Sequence, residues 1–398
     1  MPEAVATPAP ALERHRARFP SLARAAYFNY GAQGPLPSTA SASIRDAFDR
    51  IDTLGTFSME TFVVSTRIER DLRGAFAGVL GTSPERIALV ENITSACAGV
   101  LWGLDWRTGD RILVTDAEYP GVSALVEELA RRHGLQVSIC PVSGASSGEE
   151  AAARVAAAVD ARVRLIVVSH VCWNSGLALP IDEIARQRDR RAPGALLLVD
   201  GAQAGGLVPV DVERSGADFY ACTASKWLCG PAGVGALFVA EAAADRVRPV
   251  LRGWRGLLAG MNDPDCRAAS LFEGGTASVP LQAGAAAAIA VHAEWGGIDA
   301  IASRTRMLAE RLWSAIGGAA HVDARARLAS GSPRPPETGI VAIRVAPGTA
   351  RTVALALEAE GCLLKALPDP DMLRACVHYL TSDEEIDVLV AGLEAAVA

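Results

Sequence analysis

The sequence predicts an α/β protein: a mostly parallel, seven-stranded central sheet with helices on both faces, plus a smaller C-terminal α+β domain. Three observations carry this. Between residues 86 and 239, short β-branched runs alternate with helical stretches, the pattern of parallel strands joined by crossover helices. Runs such as ALLLV (195–199) are continuously apolar, which suits strands covered on both faces. Beyond about residue 285 the alternation stops, and two long helical segments lead into a Pro/Arg-rich loop and a short mixed tail.

Taken in order, residues 1–26 read as a loose N-terminal arm with a short amphipathic helix. YFNYGAQGPLP (27–37) is punctuated by glycine and proline, and a helical region follows it to about Val79. The seven strands are predicted at Arg86–Val90, Arg111–Thr115, Val137–Val142, Leu165–Ser169, Ala195–Asp200, Phe219–Cys222 and Val234–Val239. Helices fit between them at 94–104, 121–133, 149–159 and 182–192. These elements make a large domain over 27–285. The small domain, 286–398, is entered along a helix over Leu281–Trp295 and continues with a helix at 298–316. It then holds the loop SGSPRPPETG (330–339), strands at Ile340–Val345 and Leu373–His378, and helices at 349–360 and 383–397.

Composition narrows the function. Half of the 398 residues are apolar and 21% are charged, enough for a large core. A net charge of −7 disfavours a nucleic-acid partner, which calls for a basic face against phosphates. The eight Cys form no CxxC pair, so zinc-ribbon and thioredoxin-type chemistry is excluded, and reduced, buried thiols in a cytoplasmic protein are expected. The first twenty residues have no apolar core of the kind a secretory signal needs. Gly274–Val291 is uncharged, but Ser278, Pro280, Gln282 and its glycines make it a loop plus an Ala-rich helix; no membrane role is expected. Only two of the 38 basic residues are Lys, so chemistry that needs a side-chain primary amine has two candidates, Lys226 and Lys365.

In an open α/β sheet, ligands bind beyond the carboxyl ends of the strands. The segments there are ENITSACAG (91–99), DAEYPG (116–121), HVCWNSG (170–176), Asp200 with GAQ, and TASKW (223–227). Thr94, Ser95 and the backbone N–H groups of a helix N-terminus would suit a phosphate, and Thr223 and Ser225 would add hydroxyl donors. Asp200 ends an apolar strand, where a lone carboxylate is costly unless it faces a cation such as a protonated ring nitrogen. Lys226 supplies an amine for a Schiff base. An anion cradle, a carboxylate and a lysine are what pyridoxal 5′-phosphate (PLP) needs.

VDGAQ (199–203) followed by TASKWLCGPAGVGALFV (223–239) resembles the cofactor signature of class V, fold-type I PLP-dependent enzymes, the superfamily of the cysteine desulfurases. SHVCWNSG (169–176), YFNYGAQGPLP (27–37), FEGGTASVPLQAG (272–284) and DPDMLRACVHYLTSDEEID (369–387) resemble the cystine/cysteine C–S lyases within it. The similarity runs over about residues 27–390. It implies that Lys226 is the Schiff-base lysine, that Asp200 partners the pyridinium nitrogen, and that Gln203 donates to the ring hydroxyl. It places Thr94, Ser95, Thr223 and Ser225 at the phosphate, Ser225 standing where the family usually has His. Tyr119 falls where an aromatic residue, often His, stacks on the ring. Thr276 matches a residue that reaches the neighbouring subunit's phosphate, which implies a homodimer with shared sites. Arg374 matches the arginine that clamps the substrate carboxylate, a bidentate task suited to guanidinium, with Asn174 assisting. Lys365 stands where these lyases tend to carry a second arginine, and Lys is a point charge rather than a fork.

Plainer roles stand beside these. Asp200, Thr94 and Ser95 are also capping residue types, and Arg374 would serve a surface ion pair. His170 and His378 read as packed, hydrogen-bonded residues. GASSG (144–148) fits GxSxG, but no later acid and histidine complete a hydrolase. GPAGVG (230–235) lacks the strand-then-helix context of a dinucleotide site.

The resemblance implies β-elimination of cysteine, cystine or a related S-substituted cysteine to pyruvate, ammonia and a thiol or persulfide. A desulfurase would need a mobile-loop Cys before Arg374; LPDPDML (367–373) has none, and Cys362 lies too early. An aminotransferase or epimerase on the same scaffold, or a chain that has lost catalysis and only binds, are the other readings.

Overall fold

The computed structural model describes residues 9–262, 267–317, 328–331 and 334–397. Residues 1–8 of the expected arm, Cys266, and residues 332–333 of the Pro/Arg-rich loop lie outside these.

The central sheet has the seven strands expected: β1 (Ile87–Val90), β2 (Arg111–Thr115), β3 (Gln136–Cys140), β4 (Val163–Ser169), β5 (Leu196–Asp200), β6 (Phe219–Thr223) and β7 (Gly235–Val239). Their order is β1-β7-β6-β5-β4-β2-β3, with β7 antiparallel to both of its neighbours and every other pair parallel. Alternate residues of the apolar runs enter two separate cores. Ile166, Val168, Leu197 and Val199 face one, and Leu165, Val167, Leu196 and Leu198 the other. Continuous apolarity therefore meant a sheet covered on both sides.

The uncharged stretch that needed testing as a membrane span forms the helix Val279–Ala293, packed on helices Ser38–Leu54 and Met59–Leu80. A methyl group at Gly284 would meet Ile44 Cγ1 at 2.5 Å, so the small residues serve close helix approach. Among the described residues no helix is long and apolar enough to cross a membrane. Residue 285 lies inside this helix, which packs on the two helices that precede the central sheet in the chain.

The small domain has its own core, including Leu308, Leu312, Ile343, Leu373 and Leu389. Its antiparallel sheet contains β8 (Leu328–Ser330), β9 (Ile340–Val345), β10 (Lys365–Pro368) and β11 (Asp371–Cys376), in the order β10-β11-β9-β8. The strand expected at Leu373–His378 runs over Asp371–Cys376 instead, and Lys365 opens the strand that pairs with it. A two-residue strand, Ala26–Tyr27, pairs with Cys362–Leu363, so the segment that opens the large domain in sequence is anchored on the small one.

A buried ion cluster fixes the loop that carries Thr276. Glu273, 1% exposed, meets Arg73 Nη1 at 2.5 Å, Arg255 Nη2 at 3.2 Å and the Leu89 N–H at 2.9 Å. Glu273→Ala removes the buried carboxylate that both guanidinium groups share, Arg255 keeping Glu69 at 3.4 Å and Arg73 the Ile87 carbonyl, so a loss of about 3 kcal/mol is expected. A urea unfolding midpoint equal to that of the parent protein would contradict it.

Candidate active site

The chain order β2, β3, β4 reverses direction across the sheet, because β4 lies on the other side of β2 from β3. Loops leaving β2 and β4 diverge at this switch point and open a crevice, the place where α/β sheets bind ligands. The β2 loop brings Glu118 and Tyr119, and the β4 loop brings His170, Trp173 and Asn174. Asp200 ends β5 beside Ser169 of β4, and Lys226 follows β6. The small domain closes the side with Arg374 on β11.

Asp200 is 4% exposed, and the hydrogen bond to its carboxylate comes from the Ala202 N–H, 2.8 Å from Oδ1. Burial pushes its pKa up, and the charge of Lys226 opposes the rise. Burial draws the Lys226 amine down, Asp200 counters this, and Arg374 adds to the lowering. Lys226 Nζ lies 5.8 Å from the centre of the Tyr119 ring, wider than the ~3.5–4.0 Å of packed carbon atoms. Tyr119 is 48% exposed and meets Trp173 edge-on at 5.7 Å.

Arg374 is 4% exposed and donates from Nη1 to the Trp173 carbonyl at 2.9 Å. Its Nε and the Oδ1 of Asn174 are buried without a hydrogen-bond partner. Lys365 stands directly opposite Arg374 in the β10–β11 ladder, so both cations share one face of that sheet. A methyl group on Gly31 would sit 2.8 Å from Cys376 Sγ, 3.1 Å from Gln203 Oε1 and 3.2 Å from Arg374 Cζ; the GAQG segment lies against the site because it lacks side-chain bulk there.

Two expected phosphate and ring contacts take other forms. Ser95 closes a capping box: its N–H donates to Asn92 Oδ1 at 2.9 Å, and its hydroxyl donates to the Asn92 carbonyl at 2.8 Å. This leaves exposed Thr94 as the open hydroxyl of that helix N-terminus. Gln203 is held at both ends, its Oε1 accepting from Trp227 Nε1–H at 2.8 Å and its Nε2 donating to the Gly31 carbonyl at 2.9 Å. It ties the lysine turn to the 27–37 segment and has one N–H left for a ring hydroxyl. Thr223 and Ser225 hydroxyls stand 3.2 Å apart next to Lys226. Thr276 is exposed on its loop.

His170 and His378 are packed and hydrogen-bonded. His170 Nδ1 lies 2.7 Å from the Tyr220 hydroxyl, and burial draws its pKa down to about 4. His378 Nε2 donates to the Trp227 carbonyl at 3.0 Å and its ring stacks on Tyr30 at 4.1 Å. Ser147 of GASSG caps the helix Gly148–Ala158, accepting from the Glu150 N–H.

Sequence reasoning missed Glu118. It is 5% exposed, and burial pushes its pKa up to about 7. The available signal was the one that singled out Asp200, an acid just past an apolar strand.

These residues fit PLP on the structure's own terms: a buried carboxylate short of partners, an amine facing an open aromatic ring across a slot, and unpartnered buried polar atoms at Arg374 and Asn174. The fold and site are those of a PLP-dependent fold-type I enzyme. The chain belongs to the aminotransferase class-V family, whose model matches residues 26–389. It is 30% identical to isopenicillin N epimerase of Streptomyces clavuligerus over 92% of this chain and 94% of that one. It is 31% identical to a cysteine desulfurase of Dickeya dadantii over 79% of this chain and 75% of that one. The solved structure of the cystine C–S lyase C-DES with its product cysteine persulfide superposes with a TM-score of 0.87 at 33% identity, covering 94% of this chain and 98% of that chain.

Proposed function

We propose that this protein is a PLP-dependent carbon–sulfur lyase. It would act on cysteine, cystine or a related S-substituted cysteine: R–S–CH2–CH(NH3+)–COO− plus water gives R–SH, pyruvate and ammonium. When bound, PLP supplies an aldehyde for the amino group and a ring that takes up charge from the α-carbon. Lys226 Nζ holds the aldehyde between turnovers and then accepts the α-proton. Asp200 keeps the proton on the ring nitrogen. Tyr119 covers the ring, Gln203 faces its hydroxyl with its remaining N–H, and Thr94, Thr223 and Ser225 bind the phosphate. Arg374 and Asn174 orient the substrate carboxylate, with Lys365 as a second cation on the same face.

The observation that favours elimination over epimerisation is the likeness to the cystine C–S lyase C-DES, at 33% identity and a TM-score of 0.87. The geometry of Lys226 and Tyr119 serves either reaction, since a tyrosine hydroxyl is itself a general acid or base. The likeness to isopenicillin N epimerase makes epimerisation the second reading. Thr276, exposed here, completes the neighbouring subunit's phosphate site in a homodimer. The seven described cysteines, all unpaired and buried, accord with a reducing cytoplasmic setting.

Product analysis tests the reading. Incubation with cystine or cysteine is expected to yield pyruvate and ammonium in equal amounts. Alanine would mark a desulfurase instead, and an inverted α-carbon without pyruvate an epimerase.

A further inference from the structure

Glu118 has no part in the chemistry above, yet it is the knot of the crevice. Its Oε1 accepts from the Thr115 hydroxyl at 2.6 Å and the Ser169 N–H at 3.0 Å, and its Oε2 lies 2.8 Å from Ser169 Oγ. The carboxyl therefore ties β2 to β4 across the switch point. Its backbone carbonyl accepts the Trp173 indole N–H at 3.2 Å, and the Trp173 carbonyl in turn holds Arg374. Tyr119 is the next residue in the chain. Ser169 of β4 is the register partner of Asp200 on β5, so Glu118 and Asp200 come from the ends of strands on either side of β4.

We propose that Glu118 is a positioning residue that works in its protonated form. As a neutral acid it donates from Oε2 to Ser169 Oγ while Oε1 still accepts from Ser169 and Thr115, and so it fixes the loop carrying Tyr119 without a second negative charge beside Asp200. No cation pairs with this carboxyl among its described contacts; two hydroxyls and one N–H do. Burial makes a charge here costly and the nearby charge of Asp200 adds to the cost, while the hydrogen bonds from Thr115 and Ser169 offset part of it. The titratable groups that face it are Asp200 from β5, Cys97 from the helix Ile93–Leu101, and Cys172 from the β4 loop. Burial raises both thiols, so they stay neutral where Glu118 titrates. The sign follows: below about 7 Glu118 is neutral, and above it a negative charge appears next to Asp200.

The inference rests on Asp200 as the partner of the ring nitrogen. Glu118→Gln is the decisive variant, because its amide Nε2 donates to Ser169 Oγ as the protonated acid does. The wild-type holoenzyme is expected to show a pH step near 7 in its visible absorption, and E118Q is expected to keep the low-pH spectrum throughout. E118A, which leaves Thr115 and Ser169 donors unpaired, is expected to bind PLP about tenfold more weakly. A wild-type pH step in E118Q, or wild-type PLP affinity in E118A, overturns the proposal. Infrared spectra of wild-type apoprotein carrying 13C-labelled glutamate give a test that needs neither variant nor cofactor. A glutamic-acid carbonyl band that fades as pH rises through about 7 is expected, and its absence overturns the proposal. If wild-type protein takes up no PLP while that band is present, the functional reading fails and the protonated Glu118 stands.

Discussion

Lys226→Ala is expected to abolish turnover and the visible absorption of the holoenzyme together. Loss of the base alone lowers the rate by a factor on the order of 10²–10⁴, and loss of the amine that holds the aldehyde comes on top of this. No other lysine can take over: the second one, Lys365, sits on β10 of the small domain, opposite Arg374. The environment of Lys226 suits both tasks. Burial and Arg374 depress its proton affinity, which enlarges the neutral amine fraction near neutral pH, while Asp200 prevents the fall from becoming extreme. PLP should still bind K226A through its phosphate and ring contacts, without the Schiff-base band. Visible absorption that survives the substitution, or turnover within tenfold of wild type, would show that another group does this chemistry.

Arg374→Ala is expected to raise KM far more than it lowers kcat, because the guanidinium serves binding in ground and transition states alike. Truncating one partner of a buried charge pair costs about 2–5 kcal/mol, which is about 30-fold or more in kcat/KM. Its Nε is buried without a partner and its Nη1 is held by the Trp173 carbonyl, so the fork is set in place ahead of any ligand. Like charges directly opposite in an antiparallel ladder repel, and the pairing of Lys365 with Arg374 fits a face that receives an anion. Lys365→Ala should accordingly weaken substrate binding less than R374A, since Lys365 is exposed and screened. Equal KM values for R374A and the parent enzyme would remove Arg374 from the substrate site.

Much of this was legible in the chain itself. The seven central strands were placed to within about two residues, because most are largely apolar, β-branched runs bounded by turn signals, and both properties are local. Lys226 and Asp200 were legible for a related reason: a lone amine and a lone acid beside apolar strands demand a partner. Ser95 kept two readings in the sequence, cap and anion site, because a hydroxyl at a helix start serves both, and the tertiary structure shows the cap formed with Asn92. Gln203 was read for one of its ends, whereas Trp227 and the Gly31 carbonyl hold both.

Sequence alone determined the layered α/β class, the residues that bring chemistry to the strand ends and the family they resemble, since periodicity and residue type act over a few neighbouring positions. Tertiary structure decided which of those residues converge. Strand order put the loops after Thr115 and Ser169 at the switch point and made Glu118 a knot. Ladder register set Lys365 opposite Arg374, and the pairing of Ala26–Tyr27 with Cys362–Leu363 carried the opening segment onto the far domain. These are contacts between segments up to hundreds of residues apart, set by packing and strand register, which no local pattern records.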